Sequence, residues 1–140
     1  MEIVGCALSS VAIGDPLIKA IRGLRKLYNA TNEAPEVLNR LEHDGNTIEA
    51  YLKFVNDAIA ESHNQYPESF ITWFEDEKKL LKRSTTQIEE YAKTLKQRLQ
   101  TSPLVSGVQY ALDVTEISKV QEQVARSMFT IGHMMTICEQ

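Results

Sequence analysis

Histidine, cysteine and carboxylate groups are where chemistry would be expected, and in this sequence they do not converge. His43, His63 and His133 stand singly. There is no Cys-x-x-Cys pair, no glycine-rich phosphate loop and no His-Glu-x-x-His pattern. The sequence therefore predicts no catalytic residue, metal ligand or cofactor, and a protein that is not an enzyme. The lone histidines read as surface or helix-end residues. Cys6 and Cys138 are the two cysteines, too few and too far apart for a disulfide framework, which points to a reducing cytoplasmic setting. They are expected as inert buried thiols, with a bridge open only if their Cα atoms lie within about 7 Å.

Charge is the next property able to do work. The chain has a formal net charge of −4, which argues against a nucleic-acid partner, since phosphate contacts need a basic surface. The balance is uneven. Residues 1–32 hold Glu2 and Asp15 against Lys19, Arg22, Arg25 and Lys26, giving +2, while the remainder holds 17 acids and 11 bases, giving −6. A basic front end on an acidic body suits an anionic membrane. A second run, Glu75 to Arg83, reads first as a solvated helix face laced by pairs such as Glu75 with Lys79, each worth tenths of a kcal/mol. Lys78, Lys79, Lys82 and Arg83 within it are the candidates for a secondary lipid patch, muted by the three adjoining acids.

Ahead of the first basic cluster the sequence is uncharged from Ile3 to Gly14. A secretory signal is disfavoured, because Met1-Glu2 is no basic leader. A membrane span is disfavoured too: Ile3 to Ile18 makes roughly 24 Å of helix against a hydrocarbon core of about 30 Å, and Asp15 interrupts it. Two readings stay open, a helix buried in the protein core and a segment that leaves the core for lipid. Burying Ile3, Val4, Leu8, Val11 and Ile13 contributes on the order of 7–15 kcal/mol, at about 1.5–3 each, in protein or in lipid alike. The four cations add about 1 kcal/mol each near an anionic leaflet. Apolar transfer supplies the affinity, and charge selects the membrane. The small residues Gly5, Ala7, Ser9, Ser10, Ala12 and Gly14 permit close helix contact in lipid.

The elements that carry these residues follow from periodicity. With six glycines, four prolines, 43% hydrophobic and 24% charged residues in 140, the chain is expected to be one globular domain of long helices. Steps of three and four link Leu17, Ile21, Leu24 and Tyr28, and then Leu38, Leu41, Gly45, Ile48, Leu52, Val55 and Ile59. The same steps link Phe70, Phe74, Glu77, Leu81, Ser84, Ile88, Tyr91 and Leu95, and again Val114, Ile117, Gln121, Val124, Met128, Ile131, Met135 and Cys138. Such stripes belong to shallow-angle bundles. The fold class is an all-α, up-down-up-down four-helix bundle, with room for a short extra helix in the 101–113 connection. The helices are expected at 1–28, 34–63, 67–100 and 113–138. Asp15-Pro16 has the form of an N-cap and first-turn proline, so a break is expected at 14–16. Tyr66, Phe70, Trp73 and Phe74 are expected as core aromatics, with Trp73 at the edge. The chain stops at Ile137-Cys138-Glu139-Gln140 without a helix stop, so it is expected to be the N-terminal part of a longer protein.

The apolar start Met1-Glu2-Ile3-Val4-Gly5-Cys6-Ala7-Leu8-Ser9-Ser10-Val11-Ala12, the basic turn Leu24-Arg25-Lys26-Leu27-Tyr28 and the stretch Pro35-Glu36-Val37-Leu38-Asn39-Arg40-Leu41 together resemble the HeLo-like N-terminal domain of fungal STAND (NLR-type) and amyloid-signalling cell-death proteins. That domain is related to the four-helix bundle of the animal necroptosis pseudokinase. The resemblance implies regulated cell death of the heterokaryon-incompatibility kind. An upstream NLR or amyloid regulator drives self-association, and the bundle relocates from cytoplasm to plasma membrane and permeabilises it through the N-terminal helix. On this sequence the inserting residues are Ile3, Val4, Leu8, Val11 and Ile13, and the headgroup contacts with anionic lipids are Lys19, Arg22, Arg25 and Lys26. The competing expectation is a homotypic adaptor domain in immune-type signalling that never touches lipid.

Overall fold

Every apolar stripe read from the sequence lies on a helix. In the computed structural model the backbone of residues 2–29, 36–62, 65–101 and 106–140 is described, and the side chains of 14–29, 36–62, 65–98, 100 and 115–140. Four helices follow in order: α1 Glu2–Asn29, α2 Glu36–Ser62, α3 Glu68–Thr101 and α4 Ser106–Glu139. The all-α four-helix bundle is the fold.

One core joins the four. Leu17, Ile21, Leu24 and Tyr28 of α1 meet Leu38, Leu41, Ile48, Leu52, Val55 and Ile59 of α2, all buried. Phe70, Phe74, Leu81, Ile88 and Leu95 come from α3, and Ile117, Val120, Val124, Ile131 and Met134 from α4. At about 25 cal/mol per Å² of apolar area removed from water, these residues supply the main drive to fold.

The helices alternate in direction, but the neighbours are not those of the simplest bundle. α1 lies against α2 and α3, and α4 against α2 and α3, so the chain crosses the diagonal between α2 and α3. Contacts fix the directions. Arg25 pairs with Glu42, and an added Cβ on Gly14 would touch Glu49, so α1 and α2 run antiparallel. Gln121 meets Asp44 at 3.1 Å and Gly132 faces Tyr51, so α2 and α4 run parallel. Tyr91 meets Glu116 at 3.0 Å and Trp73 meets His133, so α3 and α4 run antiparallel.

Two boundaries differ from expectation, each for a physical reason. α1 is continuous across Pro16. Proline removes one donor and crowds the preceding turn, a cost of about 3 kcal/mol in a helix interior. Leu17, Ile18 and Ile21, buried immediately after it, anchor the helix on that side. Asp15 acts as an i,i+4 partner of Lys19 at 3.1 Å rather than as a cap. α4 begins at Ser106, seven residues before the expected start, so 106–113 belongs to α4 rather than to an extra helix. Gly107 sits in its first turn, where helix propensity weighs least, and Pro103 lies outside the described residues. α2 and α3 start and end within two residues of expectation, with the Pro67 carbonyl accepting the first bonds of α3 from Phe70 (3.0 Å) and Ile71 (3.3 Å).

The α4 stripe also shifts. Val120, Ser127 and Met134 are buried, whereas Gln121, Met128 and Met135 are only half-buried. α4 is held between α2 and α3, so its central row points between them and the expected row turns towards α2.

The α1–α2 approach is closest at Gly45, where an added Cβ would lie 2.9 Å from Ile21 Cδ1. Gly45→Val is expected to destabilise the chain by about 2–3 kcal/mol through overpacking. Gly23→Ala, which meets open space, is expected to stabilise it by up to about 1 kcal/mol. Urea unfolding midpoints check both; equal midpoints for the two variants contradict this packing.

Candidate functional site

The basic turn of α1 falls on its solvent side because the buried row Leu17, Ile21, Leu24 and Tyr28 occupies the opposite one. Lys19 and Lys26 are exposed, and Arg22 and Arg25 lean towards α2. One carboxylate, Glu42, receives both arginines: Arg25 pairs with its Oε2 and Arg22 lies 3.8 Å from its Oε1. Glu42 was not recognised in the sequence, where it lies 17 residues from Arg25. Such half-exposed pairs are worth at most about 1 kcal/mol, so the arginines can exchange Glu42 for another anion at little cost. The expected inserting residues Ile3, Val4, Leu8, Val11 and Ile13 lie on the first half of α1, with side chains outside the described ones.

The secondary patch on α3 divides. Lys79, Lys82 and Arg83 line an open face of the helix together with Glu90. Lys78 does not join them: it is 2% exposed, pairs with Glu75 and lies 4.9 Å from the Phe74 ring centre. Glu75 therefore takes its i,i+3 lysine rather than the expected Lys79. A buried ammonium tolerates this position because it is both ion-paired and held over an aromatic face.

A residue that periodicity placed in the apolar stripe, Glu77, has a different character. It faces the seam between α3 and α4, where a groove of about 580 Å³ is lined by Glu77, Arg83, Ser84, Arg126, Ser127 and Thr130 among others. Burial pushes its carboxyl above the ordinary carboxylate range, and Asp76 adds to this, while a hydrogen bond from the Ser127 hydroxyl opposes it. Its Oε2 is shut off from solvent without a hydrogen-bond partner. A charged residue within an apolar period is the signal in the sequence, and it reads equally well as a tolerated interruption.

Elsewhere the chemistry is quiet. Tyr66 stacks on Phe70 at 5.3 Å, and Trp73, 36% exposed, sits edge-on to Phe70 and His133 at 6.2 and 6.1 Å. Cys138 is a half-buried free thiol whose proton is held more tightly because of burial, against a hydrogen bond from Tyr66. Cys6 and His63 have side chains outside the described ones, while His43 and His133 are exposed. Among the described residues, no three His, Cys, Asp or Glu residues are grouped to hold a metal ion, and no helix is long and apolar enough to cross a membrane. Comparison with protein-family models, curated proteins and solved structures finds no match for this chain.

Two predictions follow from these side chains. Lys78→Ala strands Glu75 and removes the contact with Phe74, and is expected to cost about 2 kcal/mol in urea unfolding, whereas Lys79→Ala is expected to be neutral. Glu77 binds its proton more tightly folded than unfolded, so it lowers stability as pH rises from the ordinary carboxylate range through its raised value. Glu77→Gln is expected to remove that fall, so its stability advantage over the parent grows between about pH 4 and pH 7. A constant difference across that range contradicts the burial of this carboxyl.

Proposed function

We propose that this chain is a membrane-targeting cell-death execution domain of the HeLo-like kind, whose α1 segment enters the plasma membrane once the protein self-associates. The observation that carries the reading is α1 itself, one helix of 28 residues with an uncharged stretch from Ile3 to Gly14 and exposed cations after it. At about 1.5 Å per residue this helix reaches about 42 Å, but its uncharged part, Ile3 to Gly14, makes only about 18 Å. It would therefore lie in one leaflet, as amphipathic anchors do, rather than cross the bilayer. Ile3, Val4, Leu8, Val11 and Ile13 supply the apolar transfer. Lys26 meets headgroups directly, Lys19 does so by leaving Asp15, and Arg22 and Arg25 by leaving Glu42. Anionic lipids and further copies of the chain are the partners, and an upstream NLR or amyloid regulator supplies the clustering that raises local concentration.

A second reading, the homotypic adaptor, draws on a different observation. Phe129 of α4 is 75% exposed and Phe54 of α2 is 41% exposed, on two helices that run side by side. Exposed apolar residues mark protein and membrane contacts alike, and Arg126 lies one turn from Phe129. This keeps the adaptor second.

The experiment is dye release from phosphatidylglycerol-containing and neutral phosphatidylcholine vesicles, with the chain fused to an oligomerising partner. Leakage is expected from the anionic vesicles only, and is expected to vanish in the Ile3→Asp, Leu8→Asp double variant. Neutralising Lys19, Arg22 and Lys26 to Gln is expected to weaken vesicle co-sedimentation by about a hundredfold, at about 1 kcal/mol per cation, with helicity unchanged. An oligomer that captures a further copy of the chain but leaves vesicles intact gives the adaptor reading instead.

A further inference from the structure

The groove between α3 and α4 has a charge pattern that a general anion site lacks. Two guanidinium groups, Arg83 and Arg126, and one carboxylate, Glu77, line the same space, with the hydroxyl residues Ser84, Ser127 and Thr130 between them. On α3 the lining residues recur at 77, 80, 83, 84 and 87, and on α4 at 123, 126, 127 and 130, so both sets face one seam. Two arginines and one glutamate sum to +1 (the complement of a ligand with two anionic groups and one cationic group). The Ser127 hydroxyl donates a hydrogen bond to the Glu77 carboxyl, whose Oε2 has no hydrogen-bond partner. A carboxylate oxygen in that state gains from a charged donor, and the terminal carboxylate torsion is soft enough to turn it into the groove. The arginines offer flat paired donors suited to phosphate and carboxylate. The seam is also flanked by apolar surface: Leu80 lies within it at 45% exposure, and Trp73 lies two turns before Leu80 on the same side of α3 at 36%.

We propose that this seam is a headgroup site for phosphatidylserine, with Arg83 and Arg126 taking its phosphodiester and carboxylate, Glu77 its ammonium, and Leu80 and Trp73 the start of its acyl chains. A phosphodiester, a carboxylate and an ammonium sum to −1 and match the groove group for group. Phosphatidylglycerol lacks the ammonium and leaves Glu77 unanswered beside a new anion. Phosphatidylethanolamine lacks the carboxylate and leaves one arginine idle. The site deepens the membrane reading above and rests on it: it would choose among anionic lipids, where α1 responds to charge alone.

The test separates the two readings. The 140-residue chain is titrated with dihexanoyl phosphatidylserine as dispersed monomer, and in parallel with the dihexanoyl phosphatidylglycerol and phosphatidylethanolamine analogues, following backbone amides by NMR. Phosphatidylserine is expected to shift amides of 77–87 and 123–130 and to bind about tenfold more tightly than either analogue. Glu77→Gln is expected to abolish that preference, and Arg126→Gln to weaken phosphatidylserine binding, with the unfolding midpoint of each variant confirming that it is folded. Equal binding of the three lipids, shifts located elsewhere, or an unchanged preference in Glu77→Gln overturns the proposal. Free O-phosphoserine binding as tightly as the lipid overturns the lipid source and makes the ligand a soluble one. Vesicle binding that ignores phosphatidylserine removes this site and leaves the membrane reading intact. Monomer binding at the seam without any vesicle binding removes the membrane reading and leaves the site.

Discussion

The close seat of α1 on α2 is the contact on which the rest of the structure depends. Gly45 lets Ile21 approach so near that an added Cβ would displace the Ile21 tip, and at Gly14 a Cβ would press on Glu49 further along the pair. Both contacts draw α1 down until Leu17, Ile21, Leu24 and Tyr28 are buried, which turns the basic residues outwards. α2 carries α4 on its other flank through Asp44 with Gln121 and Tyr51 against Gly132. With α2 holding both, α3 has one remaining place, in the trough between α1 and α4.

That arrangement sets the division of polar work. Where charges are half-exposed, as at Glu42 with Arg22 and Arg25, pairing is cheap to make and cheap to break. Where they are buried, the protein pairs them, as at Lys78 with Glu75 and over the Phe74 ring. Glu77 falls between these cases, half-buried, its carboxyl pushed up by burial and its Oε2 without a hydrogen-bond partner. Under the proposed membrane reading, groups of the first and third kinds are the ones that exchange partners most readily with a charged surface.

Much of the fold was legible in the order of residues. The rows Leu17 to Tyr28 and Leu38 to Ile59 are buried throughout as their spacing required, because one apolar face at a period of three and four has a single way to leave water. The row on α4 was legible only approximately, since a helix between two neighbours buries a wider arc than one row and the period does not say which way it widens. Pro16 misled for a similar reason. Asp15-Pro16 has the local form of a helix start, but the burial of the residues following it carries the helix through. Of the candidate surface, Lys19, Lys26, Lys79, Lys82 and Arg83 stand where a charged residue off the stripe should, and Lys78, equally charged, does not.

The sequence alone settled the number of helices and the greater part of what they bury, both of which follow from patterns within one segment. The tertiary structure decided which helices touch, that Glu42 takes two arginines from another helix, and that Arg126 comes to share a groove with Glu77 and Arg83. The physical reason is range. A hydrophobic period acts between residues three or four apart, whereas an ion pair or a groove joins groups whose separation along the chain carries no signal until packing brings them together.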